Sequence, residues 1–129
     1  MLERIVAVIT FIAERGLAFR GDEEVFGSAH NGNYLGMLEL LAQFDPFLRE
    51  HIKNYAQKGT GTKSYLSNRI CNEFIELLAQ EVTAKIVEEL KRHKFFSVSL
   101  DSTPDITHTD QLTLILRYVL PSGPVERFV

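Results

Sequence analysis

Asp101 is the side chain of this sequence that is best placed to do chemistry. It follows the segment Phe95–Leu100, in which serines alternate with large apolar residues. A carboxylate at the end of such a segment, on the same face as Ser97 and Ser99, can point into an accessible site. Metal-dependent phosphoryl chemistry uses carboxylates of this kind to hold hard divalent cations. One aspartate cannot do this alone, and the alternative is that Asp101 ends a strand and caps the turn at Ser102–Pro104.

Asp105, His108 and Asp110 extend this polar region towards the carboxyl end of the chain. Three Asp and one His within ten residues have the composition of a metal-binding loop. Their spacing matches no calcium-loop pattern, because the required glycine and the terminal glutamate are missing. A solvated turn is the simpler interpretation of the cluster.

The remaining nucleophiles and metal ligands are given no catalytic role. Cys71 is the single cysteine, so no disulfide and no cysteine-based zinc site can form from this sequence. Its position in a predicted helix, with no histidine near it in sequence, is typical of a buried, inert thiol. His51 is predicted on a helix surface, His93 after the longest helix, and His30 in a loop.

A loose basic zone surrounds the glycine-containing segment Gly59–Ser64. Such a zone can contact phosphates or stack on bases, although scattered lysines around a loop more often serve solubility. The segment itself lacks the full P-loop spacing, and no predicted strand precedes it, which excludes a nucleotide-binding P-loop. The zone consists of Arg20, Lys53, Lys58, Lys63 and Arg69, with Tyr55 and Tyr65 between them.

The composition is that of a globular protein. Of the 129 residues, 45% are hydrophobic and 24% are charged, with a formal net charge of −3. No overall basic character draws the chain to nucleic acid. An apolar run at Ile5–Ala13 is flanked by Glu3 and Glu14, unlike a signal peptide. No stretch approaches the roughly 18 apolar residues of a membrane span, so a soluble intracellular protein is expected.

Apolar residues at helical spacing predict four helices in the first three quarters of the chain. Gly16 is expected to stop the first, and Asp45 with Pro46 to start the third. The fourth is the longest, with a possible break near Gln80. The predicted helices are approximately Leu2–Arg15, Asn33–Gln43, Pro46–Tyr55 and Tyr65–Arg92.

The hydrophobic period then changes from helical to alternating, which predicts three strands. They are Phe95–Asp101, Gln111–Leu120 and Val125–Val129, joined by short turns, as in an antiparallel meander. The predicted fold class is α+β, with a helical lead-in region at 1–93 and the beginning of a sheet domain at 94–129. The parent fold is expected to continue beyond Val129, because the last strand would otherwise leave an open edge.

Several segments together resemble a known family. FFSVSLDSTPDITHTDQLTLILRYV at Phe95–Val119 resembles the start of the catalytic domain of hAT-like transposases, in the subgroup of zinc finger MYM-type protein 1-like sequences. Three upstream segments are similar to the same subgroup. They are AERGLAFRG at Ala13–Gly21, GSAHNGNYLGMLELLAQFDPFL at Gly27–Leu48, and SYLSNRICNEFIELL at Ser64–Leu78.

The resemblance implies an incomplete ribonuclease-H-like fold, entered from a helical region, in which the first strand carries the first acid of an Asp-Asp-Glu triad. Asp101 stands at that position and is the implied catalytic and metal-binding residue. The implied cofactor is Mg²⁺ or Mn²⁺ in an intact member, with none expected for this chain alone. The other two acids are expected further downstream. The implied partner is DNA, which the intact enzyme cuts and joins, and the implied location is the nucleus.

The sequence also departs from the family pattern. Many hAT enzymes have a tryptophan soon after the first aspartate, whereas this chain has no Trp and continues with Ser102-Thr103-Pro104. The N-terminal zinc finger of many relatives is missing as well. These departures leave open a domesticated, non-catalytic module that binds nucleic acid or protein, with possible protein partners or a homo-oligomer and no membrane. A gene remnant without function is a third possibility.

Overall fold

The structure, a computed structural model, describes residues 1–56, 65–93, 95–104 and 110–129, and side chains for all of these except residues 103, 104, 110 and 111. In these residues helices come first and strands last, which confirms the predicted α+β class. The elements are α1 (Leu2–Glu14), α2 (Gly32–Ala42), α3 (Pro46–Tyr55), α4 (Asn68–His93), β1 (Phe96–Pro104), β2 (Asp110–Leu120) and β3 (Gly123–Phe128).

The chain forms two compact units, which we call the N-terminal unit (Met1–Leu77) and the C-terminal unit (Leu78–Val129). The N-terminal unit contains α1 to α3 and the first part of α4. The C-terminal unit contains the rest of α4 and the sheet. The domain boundary predicted at residue 93 stays a prediction.

The core of the N-terminal unit is built from one apolar stripe on each of its first helices. α1 buries Ile5, Val8, Ile9 and Ile12, which recur at helical spacing and so lie on one side of the helix. This stripe packs against α2, which also contacts α3. The buried residues contributed by the other elements are Tyr34, Leu35, Leu38, Ala42, Leu48, Leu66 and Cys71.

The predicted end of α1 and the predicted start of α3 are confirmed. At the end of α1, Gly16 has a φ of 61°, its N–H donates to Ala13 O, and the next N–H, of Leu17, donates to Ile12 O. These two bonds satisfy carbonyls that the helix itself leaves unpaired. At the start of α3, the Asp45 carboxylate accepts a hydrogen bond of 3.1 Å from Leu48 N, as expected of an N-cap residue.

The Asp45 carboxylate has a second role, because it also pairs with Arg4 of α1. The Arg4 guanidinium lies 4.8 Å from the centre of the Phe47 ring. The hydrogen bond from Arg4 is the main cause of a lowered pKa for Asp45, and the Leu48 N–H contributes in the same direction. One carboxylate therefore starts α3 and ties it to α1.

A close backbone crossing closes the loop between α1 and α2. An added Cβ at Gly21 would overlap the His30 carbonyl oxygen and lie 2.5 Å from Gly32 N, so only glycine fits there. Beside the crossing, Tyr34 N donates to Phe19 O at 3.0 Å. The loop between Gly21 and Gly32 therefore has its two ends held close together.

α4 is shorter at its start than predicted. It begins at Asn68 rather than Tyr65, because Tyr65 has a φ of 57° and the Ser67 hydroxyl accepts from Ile70 N at 3.3 Å. It then runs to His93 without a break at Gln80. Its last turn contains the basic residues Lys91, Arg92 and His93, which suit the negative end of a helix dipole.

The three strands form an antiparallel sheet in the order β1-β2-β3, as predicted. β1 pairs with β2 over its whole length, from Phe96 opposite Tyr118 to Pro104 opposite Asp110. The prediction that β1 ends at Asp101 was wrong, because the next three residues continue the ladder. Asp101 lies inside the strand, opposite Thr113, and does not cap a turn.

The glycine crossing yields a stability prediction. Gly21→Ala should lower the free energy of unfolding by about 3 kcal/mol, because the added methyl group overlaps backbone atoms that cannot move independently. Gly36→Ala is the matched control. Gly36 lies within α2, and its added Cβ would meet only Asn31 Oδ1, at 3.5 Å. This control should gain about 0.5–1 kcal/mol from helix propensity.

Urea unfolding followed by circular dichroism measures both variants. Equal stability of Gly21→Ala and the wild type would contradict the tight crossing.

Candidate functional site

Alternation along the strands gives the sheet two chemically different faces. We call one the polar face, which contains the hydroxyl and charged residues of β1 together with their partners on β2 and β3. We call the other the apolar face. The polar face consists of Ser97, Ser99, Asp101, Thr113, Ile115, Arg117, Glu126 and Phe128, and the apolar face of Phe96, Val98, Leu100, Leu112, Leu114, Leu116, Tyr118, Val125 and Arg127.

Asp101 occupies an open part of the polar face. The side chain is exposed, and the neighbours that alternation and register place beside it are Ser99, two residues earlier, and Thr113, directly opposite. These side chains are small and carry hydroxyl groups, so they leave the carboxylate accessible. The predicted accessible placement of Asp101 agrees with the structure, although the strand extends beyond it.

The two other charged residues of the polar face form an ion pair with each other. Arg117 and Glu126 are opposite one another on β2 and β3, and Arg117 Nη1 lies 3.4 Å from Glu126 Oε1. Both side chains are more than half exposed, so the pair adds little stability. Within the described part of the polar face, Asp101 is the carboxylate without an ion-pair partner.

The apolar face is anchored to the second part of α4 by one hydrogen bond. Tyr118 is buried on the sheet, and its hydroxyl donates to Glu89 Oε2 at 2.5 Å. Beside it, the ring of His93 lies 6.2 Å from the Tyr118 ring. Ile86 on the helix and Leu116 on the sheet are buried as well. These contacts place α4 over the part of the apolar face that contains Leu116 and Tyr118, and they leave the polar face open.

A shallow open depression of about 480 Å³ lies between α4 and the sheet within the C-terminal unit. Its lining mixes both signs of charge with two apolar side chains, which favours no single class of ligand. The lining residues are Glu81, Val82, Lys85, Ile86, Glu89 and Arg127. Asp101 is not among them.

Most of the predicted metal-binding loop lies outside the residues that the structure describes. Asp105 and His108 lie outside the described residues, and of Asp110 only the backbone is described, as the first residue of β2. Within the part of the chain that the structure does describe, no group of three His, Cys, Asp or Glu residues could hold a metal ion. Asp101 is therefore one candidate ligand, and the described residues do not complete a metal-binding set around it.

The predicted basic zone is only partly described, since Lys58 and Lys63 lie outside the described residues. Two of its arginines are engaged elsewhere. Arg20 donates to Asn72 Oδ1 at 2.7 Å and pairs with Glu24. Arg69 pairs with Glu73 at 2.9 Å. These contacts reduce the positive charge that the zone can offer to a phosphate.

Cys71 is buried, as predicted. Burial raises the pKa of its thiol to about 11, although the positive charge of Arg20 acts in the opposite direction. At neutral pH the group is therefore a thiol, and the thiolate needed for nucleophilic attack is scarce.

One arrangement was not anticipated from the sequence. Along α3 the ring of His51 lies 6.2 Å from that of Phe47 and 4.7 Å from that of Tyr55. The spacing of four residues is the signal that could have indicated it, because such residues are neighbours on a helix surface.

The comparisons with known proteins support the family but add no residue assignment. A family model described as "DUF4371: ZMYM1/FAM200, RNase-like domain" matches residues 1–129, and the chain belongs to this family. No solved structure matches the chain significantly. Among the described residues, no helix has the length and apolar character that crossing a membrane requires.

The Tyr118–Glu89 bond yields a prediction with a pH dependence. Tyr118→Phe should lower the free energy of unfolding at pH 7 by about 1–2 kcal/mol, because a hydrogen bond to a carboxylate is lost. The same bond is the main cause of the raised pKa of Tyr118, whose ordinary value is 10.0. Its stabilisation is therefore complete below about pH 10 and disappears as the pH rises through the higher folded value.

Urea unfolding of wild type and variant between neutral and alkaline pH tests this expectation. The difference between the two proteins should shrink at the alkaline end. A difference that stays constant over the whole range would show that the bond is not formed.

Proposed function

We propose that this RNase-like family member binds a divalent metal ion through Asp101 and serves a hAT-transposase-like reaction that cuts and joins DNA in the nucleus. The observation that supports the proposal is the placement of Asp101. It is an exposed carboxylate on the polar face of the first strand of an antiparallel meander, beside Ser99 and opposite Thr113. This is the position at which the resemblance implies the first acid of an Asp-Asp-Glu triad.

The chemistry of a carboxylate suits this role. Mg²⁺ and Mn²⁺ prefer oxygen ligands, and a bound pair of such ions stabilises the attacking and leaving oxygens of a phosphoryl transfer. On this proposal the remaining two acids lie far downstream of Asp101 and are not among the residues of this chain. No catalytic step is assigned to the described residues beyond holding the ion at Asp101.

A titration of the intact protein, in which all three acids of the proposed triad are present, with Mn²⁺, followed by electron paramagnetic resonance, tests the proposal. Asp101→Asn keeps the shape of the side chain but removes its charge, and should weaken Mn²⁺ binding by at least about tenfold. Glu126→Gln is the matched control, because it removes a carboxylate from the same face that is already paired with Arg117. Its Mn²⁺ affinity should equal that of the wild type.

Equal Mn²⁺ affinity of Asp101→Asn and the wild type would count against metal binding at this position.

The second candidate function is a domesticated module that binds nucleic acid or protein without chemistry. The lack of a three-residue metal-ligand group in the described residues favours it, and the net charge of −3 favours a protein over a nucleic acid as its partner. The same titration separates the two candidates. An interaction module should bind no Mn²⁺ specifically, and Asp101→Asn should leave the binding of its partner unchanged.

A further inference from the structure

Asn31-Gly32 is the one place in the sequence where glycine follows asparagine. Glycine has no side chain that hinders an approach of its nitrogen to the preceding side chain, so in an unfolded chain this asparagine is the one most prone to deamidation. The other asparagines are followed by larger residues. They are Asn33, Asn54, Asn68 and Asn72, and the residues after them are Tyr, Tyr, Arg and Glu.

Deamidation needs only the chain itself and a water molecule. The backbone nitrogen of Gly32 gives up its proton to the solvent and attacks Asn31 Cγ, the Cγ–Nδ2 bond breaks, and the amide nitrogen takes up a proton and leaves as ammonia. Water then adds to either carbonyl of the cyclic imide and opens it. The product at position 31 is an aspartyl residue, or an isoaspartyl residue in which the main chain runs through the former side chain.

In the folded protein the backbone of Asn31 is turned away from this ring closure. Its ψ is 1°, which places the Gly32 nitrogen beside the nitrogen of Asn31 and away from the Asn31 Cβ. Ring closure requires the Gly32 nitrogen to eclipse that Cβ, so the planar peptide group between the two residues would have to rotate as a unit. The Asn31 amide nitrogen has no hydrogen-bond partner in the described part of the chain. The restraint therefore lies in the backbone and not in the amide group.

The crossing of Gly21 and Gly32 prevents this rotation. The two backbones lie so close together that neither glycine has room for a Cβ. Hydrogen bonds on both sides of the Asn31-Gly32 peptide group fix the chain to the segment 18–23, so the crossing has to open before the peptide group can turn. These bonds are Glu23 N to His30 O at 3.2 Å, Tyr34 N to Phe19 O at 3.0 Å and Asn33 Nδ2 to Ala18 O at 2.6 Å.

Neither product of deamidation suits this position. Asn31 is only 7% exposed, and an aspartyl residue there would bury a charge, which is costly without a partner. An isoaspartyl residue would add a carbon to the main chain at a crossing that has no room even for a Cβ. A chain modified at position 31 is therefore expected to lose the crossing.

We propose that Asn31 is a deamidation site that the crossing of Gly21 and Gly32 protects in the folded protein, and that its reaction in an opened molecule prevents the crossing from forming again. An opening that lasts long enough for the reaction thus becomes irreversible. The modified residue then marks the molecules in which the opening occurred. The inference does not depend on metal binding at Asp101.

Incubation of the purified protein in mildly alkaline buffer, with and without urea, tests the protection. Mass spectrometry of proteolytic fragments locates each conversion of an amide to a carboxyl group. In urea Asn31 should react faster than Asn33, which lies in the same fragment and precedes a tyrosine. Without urea the reaction at Asn31 should be at least about tenfold slower than in urea, because only opened molecules react.

Two destabilised variants separate the crossing from overall stability. Gly21→Ala should bring the rate without urea close to the rate in urea, because the crossing cannot close around the added methyl group. Leu48→Ala removes a fully buried side chain from α3, and so destabilises the same unit away from the crossing. With the unfolded fraction of each variant measured by circular dichroism, Leu48→Ala should react only in proportion to that fraction. Gly36→Ala should keep the wild-type rate.

Refolding tests the consequence. Wild-type protein that has been deamidated in alkaline urea should fail to regain its helical circular dichroism when the urea is diluted. The control is the same protein kept for the same time in mildly acidic urea, where the Gly32 nitrogen seldom loses its proton, and this sample should refold.

Equal reaction rates at Asn31 with and without urea would overturn the protection. Rates of Gly21→Ala and Leu48→Ala that both follow the unfolded fraction alone would show that the crossing is not its cause. Complete refolding of the deamidated protein would overturn the consequence.

Discussion

The register between β1 and β2 is the constraint on which the site and the edge of the sheet both depend. Every residue of Phe96–Pro104 has a partner on β2, and the pairing contains no bulge. Because side chains alternate, a slip of one residue would move Asp101 from the polar face to the apolar face, beside Leu112 and Leu114, and away from Thr113. The alternation also decides which backbone groups bond within the sheet and which point outwards. One pairing pattern thus sets the neighbours of the carboxylate and the backbone groups that the edge presents.

Much of this fold could be predicted from the sequence, because local signals coincide with tertiary ones. The start of α3 at Asp45-Pro46 and the end of α1 at Gly16 follow from cap chemistry that acts within a few residues. The three strands follow from period-two alternation between short turns. The location of Asp101 on the polar face follows from counting along that alternation, so the candidate site could be predicted without a structure.

Other features depend on contacts that no local pattern encodes. The length of β1 was underestimated, because Ser102 and Pro104 have weak strand propensity and this segment is held by pairing with β2. The bond between Tyr118 and Glu89 joins residues 29 positions apart. The Arg20–Asn72 bond spans 52 positions and engages one of the cations expected to be available to phosphates. Such long-range contacts appear only once the elements have packed.

The crossing of Gly21 and Gly32 has a consequence for how this loop can vary between related proteins. Glu23 N also donates to His30 O, and Asn31 is buried at the start of α2, so it is residues 24–29 that can gain or lose a few positions without moving α1 relative to α2. Length variation should therefore be tolerated between the two glycines, while the glycines themselves should not vary. The loop is also a suitable place to insert a tag or a reporter domain without disturbing the helical core.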